Sequence, residues 1–240
     1  MCGRYASSAG VDELVEEFDI VEVLPGVPGP SWNVAPTDVV RAVVDRTPPD
    51  ADTPVRSLVP MRWGLVPYWS ESSSGAARLI NARGETAALK PSFRAAYRRR
   101  RCLLPADGYY EWQKVGNRKQ PWFIHRTDGH QLAMAGLWET WTERHPDTEG
   151  AAARRLVTCT VLTTSAIDAL GHVHDRMPMT VRPEVWDVWL DPRVQDPEQV
   201  VGLLAAEGSG EITSHPVGTA VGSVAHNHPG LVEPVEVPGA

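Results

Sequence analysis

The middle of the chain holds five short runs of β-forming residues, and this block most limits the folds that are open to it. Turn residues separate the runs, which is the pattern of strands joined by tight connections. The runs are Cys102–Leu104, Tyr109–Gln113, Trp122–His125, Leu132–Trp138 and Arg155–Leu162. Strands that follow one another so closely pair most simply as antiparallel neighbours. The block therefore predicts an antiparallel sheet at the centre of the protein.

Helical patterns and further strands flank this block. Helices are predicted at Val11–Phe18, from Pro91 onward, at Ser165–Leu170, at Pro183–Leu190 and at Pro197–Ala206, and strands at Val39–Val44, Leu58–Trp63 and Ile212–Val217. Neither an internal repeat nor a long linker divides the 240 residues. The pattern predicts an α+β fold: a single domain over residues 1–240, with a curved, barrel-like, mainly antiparallel β core flanked by helices. A C-terminal tail is expected from about residue 231, and no role is assigned to the loops Ser70–Ala77 and Glu143–Gly150.

Composition narrows the class of protein. A hydrophobic fraction of 42% and a charged fraction of 22% are typical of a globular chain. No apolar run reaches the ~18–20 residues that span a bilayer, and the N-terminus lacks the pattern of a signal peptide. Cys2, Cys102 and Cys159 form no CxxC pair and no disulfide framework. We expect a cytoplasmic protein without a membrane partner, in which Cys102 and Cys159 lie in the core.

Charge is unevenly distributed along the chain. The net charge of −7 argues against a protein that coats nucleic acid without specificity. The segment Lys90–Arg101 nevertheless holds six of the 23 basic residues and no acidic one. It is either a surface that binds phosphates at one place or a solvated helix face, and the sequence alone leaves both open.

Tryptophan is unusually frequent, with nine residues. Trp186 and Trp189 lie at helical spacing and are predicted core residues. Trp63 and Trp69 lie in a stretch interrupted by glycine and proline, where aromatic rings are candidates for stacking on bases.

Cys2 is preceded only by Met1. Methionine aminopeptidases remove an initial methionine when the next side chain is small, and cysteine is small. Removal would leave one residue with both a free α-amine and a thiol. Both groups are partly nucleophilic near neutral pH, since their ordinary pKa values are about 7.7–8.0 and 8.5. Such an aminothiol condenses with an aldehyde to an imine and then closes a five-membered thiazolidine.

Three short runs combine acid–base groups with turn residues. Asn81 and Arg83 share one face of a predicted strand end. Glu111 lies among aromatic residues, where desolvation would raise the pKa of its carboxyl. His174 is followed by a carboxylate and a guanidinium. Taken singly, each group could equally serve the fold. The His-x-His pairs at 172/174 and 226/228 have no clear third or fourth ligand, so we predict no metal and no cofactor.

Taken together, these runs resemble one family. They are Met1–Tyr5, Trp32–Pro36, Arg62–Pro67, Ile80–Thr86, Arg101–Trp112, His174–Pro178 and Ser214–Val217. In this order they resemble the motif series of the SRAP (SOS response-associated peptidase) family, whose members act as abasic-site processing proteins. The motifs extend from residue 1 to about residue 217, so the resemblance covers nearly the whole chain.

The resemblance implies a deliberate DNA–protein crosslink made during the response to DNA damage. The expected substrate is an abasic site in single-stranded DNA, whose ring-opened form is an aldehyde. Cys2 would attack C1′ of that sugar through its amine and close a thiazolidine through its thiol. Asn81 matches the residue that holds Cys2, Glu111 the residue that moves protons, and His174 the residue that assists ring opening and release.

The resemblance also implies the contacts with DNA. They are Arg4, Arg83 and Arg176 at phosphates, Asn33, Pro36, Trp63 and Trp69 at flanking bases, and Thr163 at the end of the strand before the His174 loop. We expect a monomer that associates with the nucleoid when bound to DNA, with replication-fork components as further partners.

Two other functions remain open from the sequence. The same Cys2, Glu111 and His174 could form an N-terminal-nucleophile peptidase that removes its own Met1. Alternatively, the aromatic and basic residues could form a single-stranded DNA binder without catalytic activity.

Overall fold

The computed structural model describes residues 2–47, 52–143, 153–166, 173–203 and 212–236. Its strands are β1 (Tyr5–Ser7), β2 (Glu22–Val23), β3 (Ser31–Val34), β4 (Val39–Arg46), β5 (Val55–Trp63), β6 (Asn81–Arg83), β7 (Arg101–Ala106), β8 (Gly108–Val115), β9 (Arg118–Arg126), β10 (Leu132–Thr142), β11 (Arg155–Ser165), β12 (Arg176–Pro178) and β13 (Ile212–Pro216). Its α-helices are α1 (Val11–Glu17), α2 (Gly84–Ala87), α3 (Arg94–Arg99), α4 (Trp186–Leu190) and α5 (Pro197–Leu203). Short 3₁₀ helices cover Ser73–Arg78, Pro183–Val185, Thr219–Gly222 and Pro229–Leu231.

Five strands close into a barrel. β5 pairs with β4, β4 with β7, β7 with β10, and β10 with β11, all antiparallel. The ring closes where β11 runs parallel to β5, with Cys159 opposite Trp63. A closed ring leaves no free edge within it. The predicted barrel-like, mainly antiparallel core is confirmed, and the parallel closure is a feature that the sequence pattern did not indicate.

Alternation along the barrel strands separates two hydrophobic clusters. Leu103 packs with residues of the helices, including Tyr97 and Trp189, whereas its neighbours Cys102 and Leu104 pack with Trp63 and other strand residues. Because successive side chains of a strand point to opposite faces, one cluster fills the barrel and the other lies between the barrel and the helices. The predicted core positions of Cys102, Cys159, Trp186 and Trp189 are confirmed.

A second sheet contributes residues to the surroundings of Cys2. Its strand order is β13–β9–β8–β1–β3, with antiparallel pairs throughout. β1 begins just after Cys2 and pairs with β8 through Tyr5 and Tyr109. β6 lies on the other side of the same region, parallel to β11, with Asn81 opposite Val161. Cys2 therefore lies where strands of the two sheets meet.

Some predicted boundaries change. The loop predicted at Ser70–Ala77 contains the 3₁₀ helix Ser73–Arg78, which the Ser72 side chain caps by accepting from the Ser74 amide. The predicted C-terminal tail is docked rather than free: Leu231 is buried and the Val235 amide donates to the Pro216 carbonyl at 2.9 Å.

Other predictions fall partly outside the described residues. These are residues 167–170 of the predicted helix that starts at Ser165, residue His172, residues 144–150 of the predicted loop, residues 204–206 of the last predicted helix, the end of the tail from 237, and Met1. Among the described helices, none combines the length and apolar character needed to cross a membrane.

Candidate functional site: a buried N-terminal cysteine with a carboxyl and an imidazole

Cys2 lies at the junction of the two sheets and is fully buried. It packs in the cluster inside the barrel together with Tyr5, Trp63 and Tyr109. The Asn81 side-chain amide donates to the Cys2 carbonyl oxygen at 2.7 Å. This bond holds Cys2 by its backbone, so the thiol is not needed to keep the residue in position.

Asn81 is fixed by the strand that carries it. β6 pairs with β11 over three residues, which leaves the Asn81 side chain little freedom of direction. Its Oδ1 atom is buried and has no hydrogen-bond partner among the described residues. A buried acceptor without a partner costs free energy, so this oxygen is an available acceptor for an amine or a sugar hydroxyl at Cys2.

Glu111 supplies the carboxyl. It lies on β8, is 4% exposed, and burial raises its pKa, as the aromatic surroundings predicted. A positive charge placed on His174 would oppose this shift in the pKa of Glu111. Burial also raises the pKa of the Cys2 thiol well above its usual range, and the Glu111 charge adds to the effect. The resting thiol is therefore protonated.

His174 has two alternative partners at one ring nitrogen. Its Nδ1 lies 2.9 Å from the Arg176 backbone amide, which donates to it, and 2.8 Å from an oxygen of Asp175. A neutral ring can accept from Arg176 at Nδ1, and a protonated ring can donate to Asp175 from the same atom. In the neutral ring the proton then lies on Nε2.

The predicted DNA contacts Arg4 and Asn33 form an internal network. Arg4 donates to Asn33 Oδ1 at 2.7 Å and to the Val221 carbonyl at 2.8 Å. Asn33 is buried, and its amide donates to the carbonyls of Ser223 and His226. These hydrogen bonds attach the C-terminal segment to β3, and a direct contact of Asn33 with DNA stays a prediction. Arg4 is half-buried and burial lowers its pKa.

Of the two tryptophans predicted to stack on bases, only Trp69 is accessible. Trp63 is fully buried; its indole donates to the Ile80 carbonyl at 2.9 Å and its ring meets Tyr5 edge-on at 5.2 Å. The ring of Trp63 is thus enclosed in the fold, and its stacking on bases stays a prediction. Trp69 is 46% exposed and its neighbour Tyr68 is 57% exposed. Pro36 is half-buried beside the end of β3.

Arg83, Arg176 and Thr163 differ in accessibility. Arg83 is exposed at the end of β6. Arg176 makes two bonds to Glu85, at 2.6 and 3.0 Å, and donates to the Thr163 carbonyl at 2.6 Å. Thr163 is 1% exposed and orients Arg176 by accepting from it, and its direct contact with DNA stays a prediction.

The sequence reasoning missed two residues near the site. Glu85 forms an ion pair with Arg176. The hydrogen bonds that Arg176 donates lower the pKa of the Glu85 carboxyl. Its position two residues after Arg83 was the available signal. Tyr109 is buried against Cys2, and burial raises the pKa of its phenol. Its place opposite Tyr5 depends on strand register, which the sequence did not give. The described residues contain no group of three or more side chains suited to a metal ion.

Glu111 makes stability depend on pH in a predictable direction. The folded pKa lies above the unfolded value of about 4.3, so between the two the folded state binds more protons. The contribution of this group is therefore fully present below about pH 4.3 and is lost as the pH rises through the folded pKa. We expect the melting temperature of Glu111→Gln, relative to the parent protein, to increase with pH across this window. Thermal melts of both proteins from pH 4 to 8 measure it, and parallel curves would contradict the assignment.

Comparison with known proteins gives a consistent result over nearly the full length. The family profile described as SOS response associated peptidase (SRAP) matches residues 1–224. Abasic site processing protein YoqW of Bacillus subtilis is 34% identical, covering 97% of this chain and 99% of that protein. Abasic site processing protein YedK of Escherichia coli is 34% identical, covering 98% and 100%. Abasic site processing protein HMCES of Gallus gallus is 30% identical, covering 99% and 79%.

Solved structures share the fold. The crystal structure of a protein from Bacteroides thetaiotaomicron matches with a TM-score of 0.80 at 22% identity, covering 98% of this chain and all of that one. A phage-related protein from Bordetella bronchiseptica matches with a TM-score of 0.65 at 28% identity, covering 90% and 94%. The barrel with its second sheet and flanking helices is thus an architecture that these proteins have in common.

Proposed function

The chain belongs to the SRAP family, and from this membership and the surroundings of Cys2 we propose that it captures abasic sites in single-stranded DNA as a covalent thiazolidine. Its relatives carry the name of abasic site processing proteins. The observation that carries the proposal for this chain is the 2.7 Å bond from Asn81 to the Cys2 carbonyl, next to the Glu111 carboxyl. This bond holds Cys2 by its backbone carbonyl and engages neither its thiol nor its nitrogen.

The proposed reaction starts when Met1 is removed and the Cys2 nitrogen becomes a primary amine. The amine adds to the C1′ aldehyde of the ring-opened sugar, and loss of one water gives an imine. The thiol sulfur then adds to the imine carbon while its proton passes to the nitrogen, which closes the five-membered ring. One C–N and one C–S bond form, one water leaves, and neither an oxidant nor a reductant is needed.

Glu111 and His174 supply the proton transfers in this proposal. Because burial raises its pKa, Glu111 remains protonated at a higher pH than an exposed carboxyl and can donate to the departing hydroxyl. The same carboxylate can then accept the proton of the thiol, whose own raised pKa makes an accepting group necessary. His174, with its proton on Nε2 when neutral, is suited to assist opening of the sugar ring.

We further propose that the adduct shields the lesion during DNA damage, and that the protein acts in the cytoplasm at the nucleoid. The test uses the full chain and a single-stranded oligonucleotide with one abasic site. We expect a band that survives denaturation, with the mass of the chain lacking Met1 plus the oligonucleotide minus one water. Binding without any such band would support the non-catalytic binder and contradict the proposal.

Asn81→Asp tests the hydrogen bond that holds Cys2. The change keeps the size of the side chain but places a carboxylate oxygen against the Cys2 carbonyl, where an amide now donates at 2.7 Å. We expect crosslinking to slow by about 10- to 100-fold, because a small displacement of a reacting group has effects of this order. The matched control is Asn117→Asp, which makes the same change at an exposed position of the β8–β9 turn. Equal crosslinking rates in the two variants would remove Asn81 from the mechanism.

A further inference from the structure

A basic cleft lies outside the barrel, between α3 and the loop that carries Tyr68. Its volume is about 590 Å³, and four arginines line it: Arg94, Arg98, Arg99 and Arg100. The fifth nearby arginine, Arg101, belongs to the interior and does not contribute, since it is 2% exposed. The basic segment seen in the sequence is thus divided into a surface part and a buried part.

The charges in this cleft are mostly uncompensated. Arg100 pairs with Glu139 at 2.6 Å, and Arg99 bonds to the neutral Gln195 side chain at 3.0 Å. Arg94 and Arg98 are exposed and make no ion pair among the described residues. They are four residues apart on one helix face, where like charges repel and destabilise the helix slightly. On a chain with net charge −7, this concentration of positive charge points to an anionic ligand.

An exposed aromatic ring lines the same cleft. It belongs to Tyr68, which is 57% exposed, and the next residue in the chain, Trp69, is 46% exposed. An isolated phosphate needs no such rings. Arginines that follow a phosphate backbone, together with aromatic faces for the bases, are the combination found in sites for single-stranded nucleic acid.

The cleft is connected to the Cys2 site by one loop. The segment between Trp63 and Asn81 starts opposite Cys159 and ends opposite Val161, so both of its ends lie within two residues of each other on β11. Tyr68, five residues after Trp63 in this segment, lines the cleft. A DNA strand that follows this loop away from Asn81, which bonds to Cys2, reaches the cleft at Tyr68.

We propose that this cleft binds the phosphate backbone of the DNA strand that flanks the abasic nucleotide. Arg94 and Arg98 contact phosphates, and Tyr68 and Trp69 offer their rings to the bases between the cleft and Cys2. The inference rests on the proposed function, and it extends the DNA-binding surface beyond the nucleotides next to the lesion.

The test compares Arg94→Gln/Arg98→Gln with the matched control Arg118→Gln/Lys119→Gln, which removes the same charge from exposed positions at the start of β9. Affinity is measured against salt concentration for oligonucleotides of about 5 and about 20 nucleotides, each with an unreactive abasic analogue, since sites in such proteins span ~4–16 nucleotides. For the long oligonucleotide we expect about 10-fold weaker binding by the cleft variant and a salt slope smaller by about 1.4, which is two contacts at ~0.7 each.

The outcomes separate this proposal from the function on which it rests. The short oligonucleotide should bind the cleft variant as well as the parent protein, because it does not reach α3. The proposed role of the cleft is contradicted if the cleft variant and the control lose the same affinity. It is also contradicted if the cleft variant loses the same affinity for both oligonucleotide lengths. Crosslinking of the parent protein to a short abasic oligonucleotide reports on Cys2 alone. Absence of this crosslink would overturn the proposed function, and the binding comparison between the variants could still be interpreted. Unchanged melting temperatures verify that the variants fold.

Discussion

Cys2→Ala is expected to abolish the stable adduct with abasic DNA, reducing it by at least about 100-fold. Alanine is also small, so Met1 is still removed and the amine still forms an imine with the aldehyde. Without the thiol, the imine has no internal nucleophile and hydrolyses during denaturation. The size of the effect follows from ring closure, where an intramolecular thiol acts at an effective concentration of ~10⁵ M or more.

Borohydride makes this prediction specific to the thiol. Reduction converts an imine into a stable amine, so treatment during the reaction should restore the band for Cys2→Ala. Cys159→Ala is the matched control: it removes another fully buried thiol from the same interior cluster and should retain the adduct without reduction. If Cys2→Ala gives as much adduct as the parent protein without borohydride, the central proposal is wrong.

Arg101→Met is expected to cause the largest loss of stability, about 3–5 kcal/mol in the free energy of unfolding. The buried guanidinium donates to the carbonyls of Tyr97, Arg98, Trp189 and Asp191 at 2.5–3.0 Å. These carbonyls belong to the C-terminal ends of α3 and α4, where a positive charge is favoured by the helix dipole. The central guanidinium carbon of Arg101, Cζ, also lies 5.5 Å from the centre of the Trp189 ring. Methionine fills similar space but leaves the carbonyls of Tyr97, Arg98 and Trp189 without this donor, while the Asp191 carbonyl keeps only the Val194 amide at 3.2 Å.

Chemical denaturation monitored by tryptophan fluorescence measures this loss. Arg118→Met is the control, because Arg118 is exposed and a substitution there should change stability by less than about 0.5 kcal/mol. The loss of stability in Arg101→Lys should lie between those of Arg101→Met and Arg118→Met, since one ammonium cannot reach both helix ends with the geometry of a guanidinium. A loss at Arg101→Met no larger than that of the control would show that the four hydrogen bonds contribute little.

The sequence predicted the barrel-like core and identified Cys2, Asn81 and Glu111, which the structure brings together. Their motifs are local and each lies on or beside a strand, so short-range patterns were sufficient. Trp63 shows where such patterns fail. Its glycine- and proline-rich neighbourhood favoured an exposed loop, but the parallel pairing of β5 with β11 places it inside the barrel.

Arg101 and Thr163 illustrate the same limit. Six basic residues in Lys90–Arg101 look alike in sequence, and only the start of β7 at position 101 turns one of them inward. Thr163 ends a strand before the His174 loop, as predicted, yet the pairing of β11 with β6 and β12 covers it. Burial of this kind is decided by partners distant in the chain, which one sequence does not reveal.

Closure of the barrel by β11 also sets the order of events during synthesis. β11 bridges β5 and β6, so Asn81 has no strand to lie on until a segment about 80 residues further along has emerged. About 170 residues separate Cys2 from His174, which at ~5–20 residues per second corresponds to roughly 10–35 s of translation. Under the proposed function, removal of Met1 during this interval would act on an undocked segment. The aminothiol would then exist before its pocket does, and an aldehyde met in that interval would find the reagent without the groups that hold it.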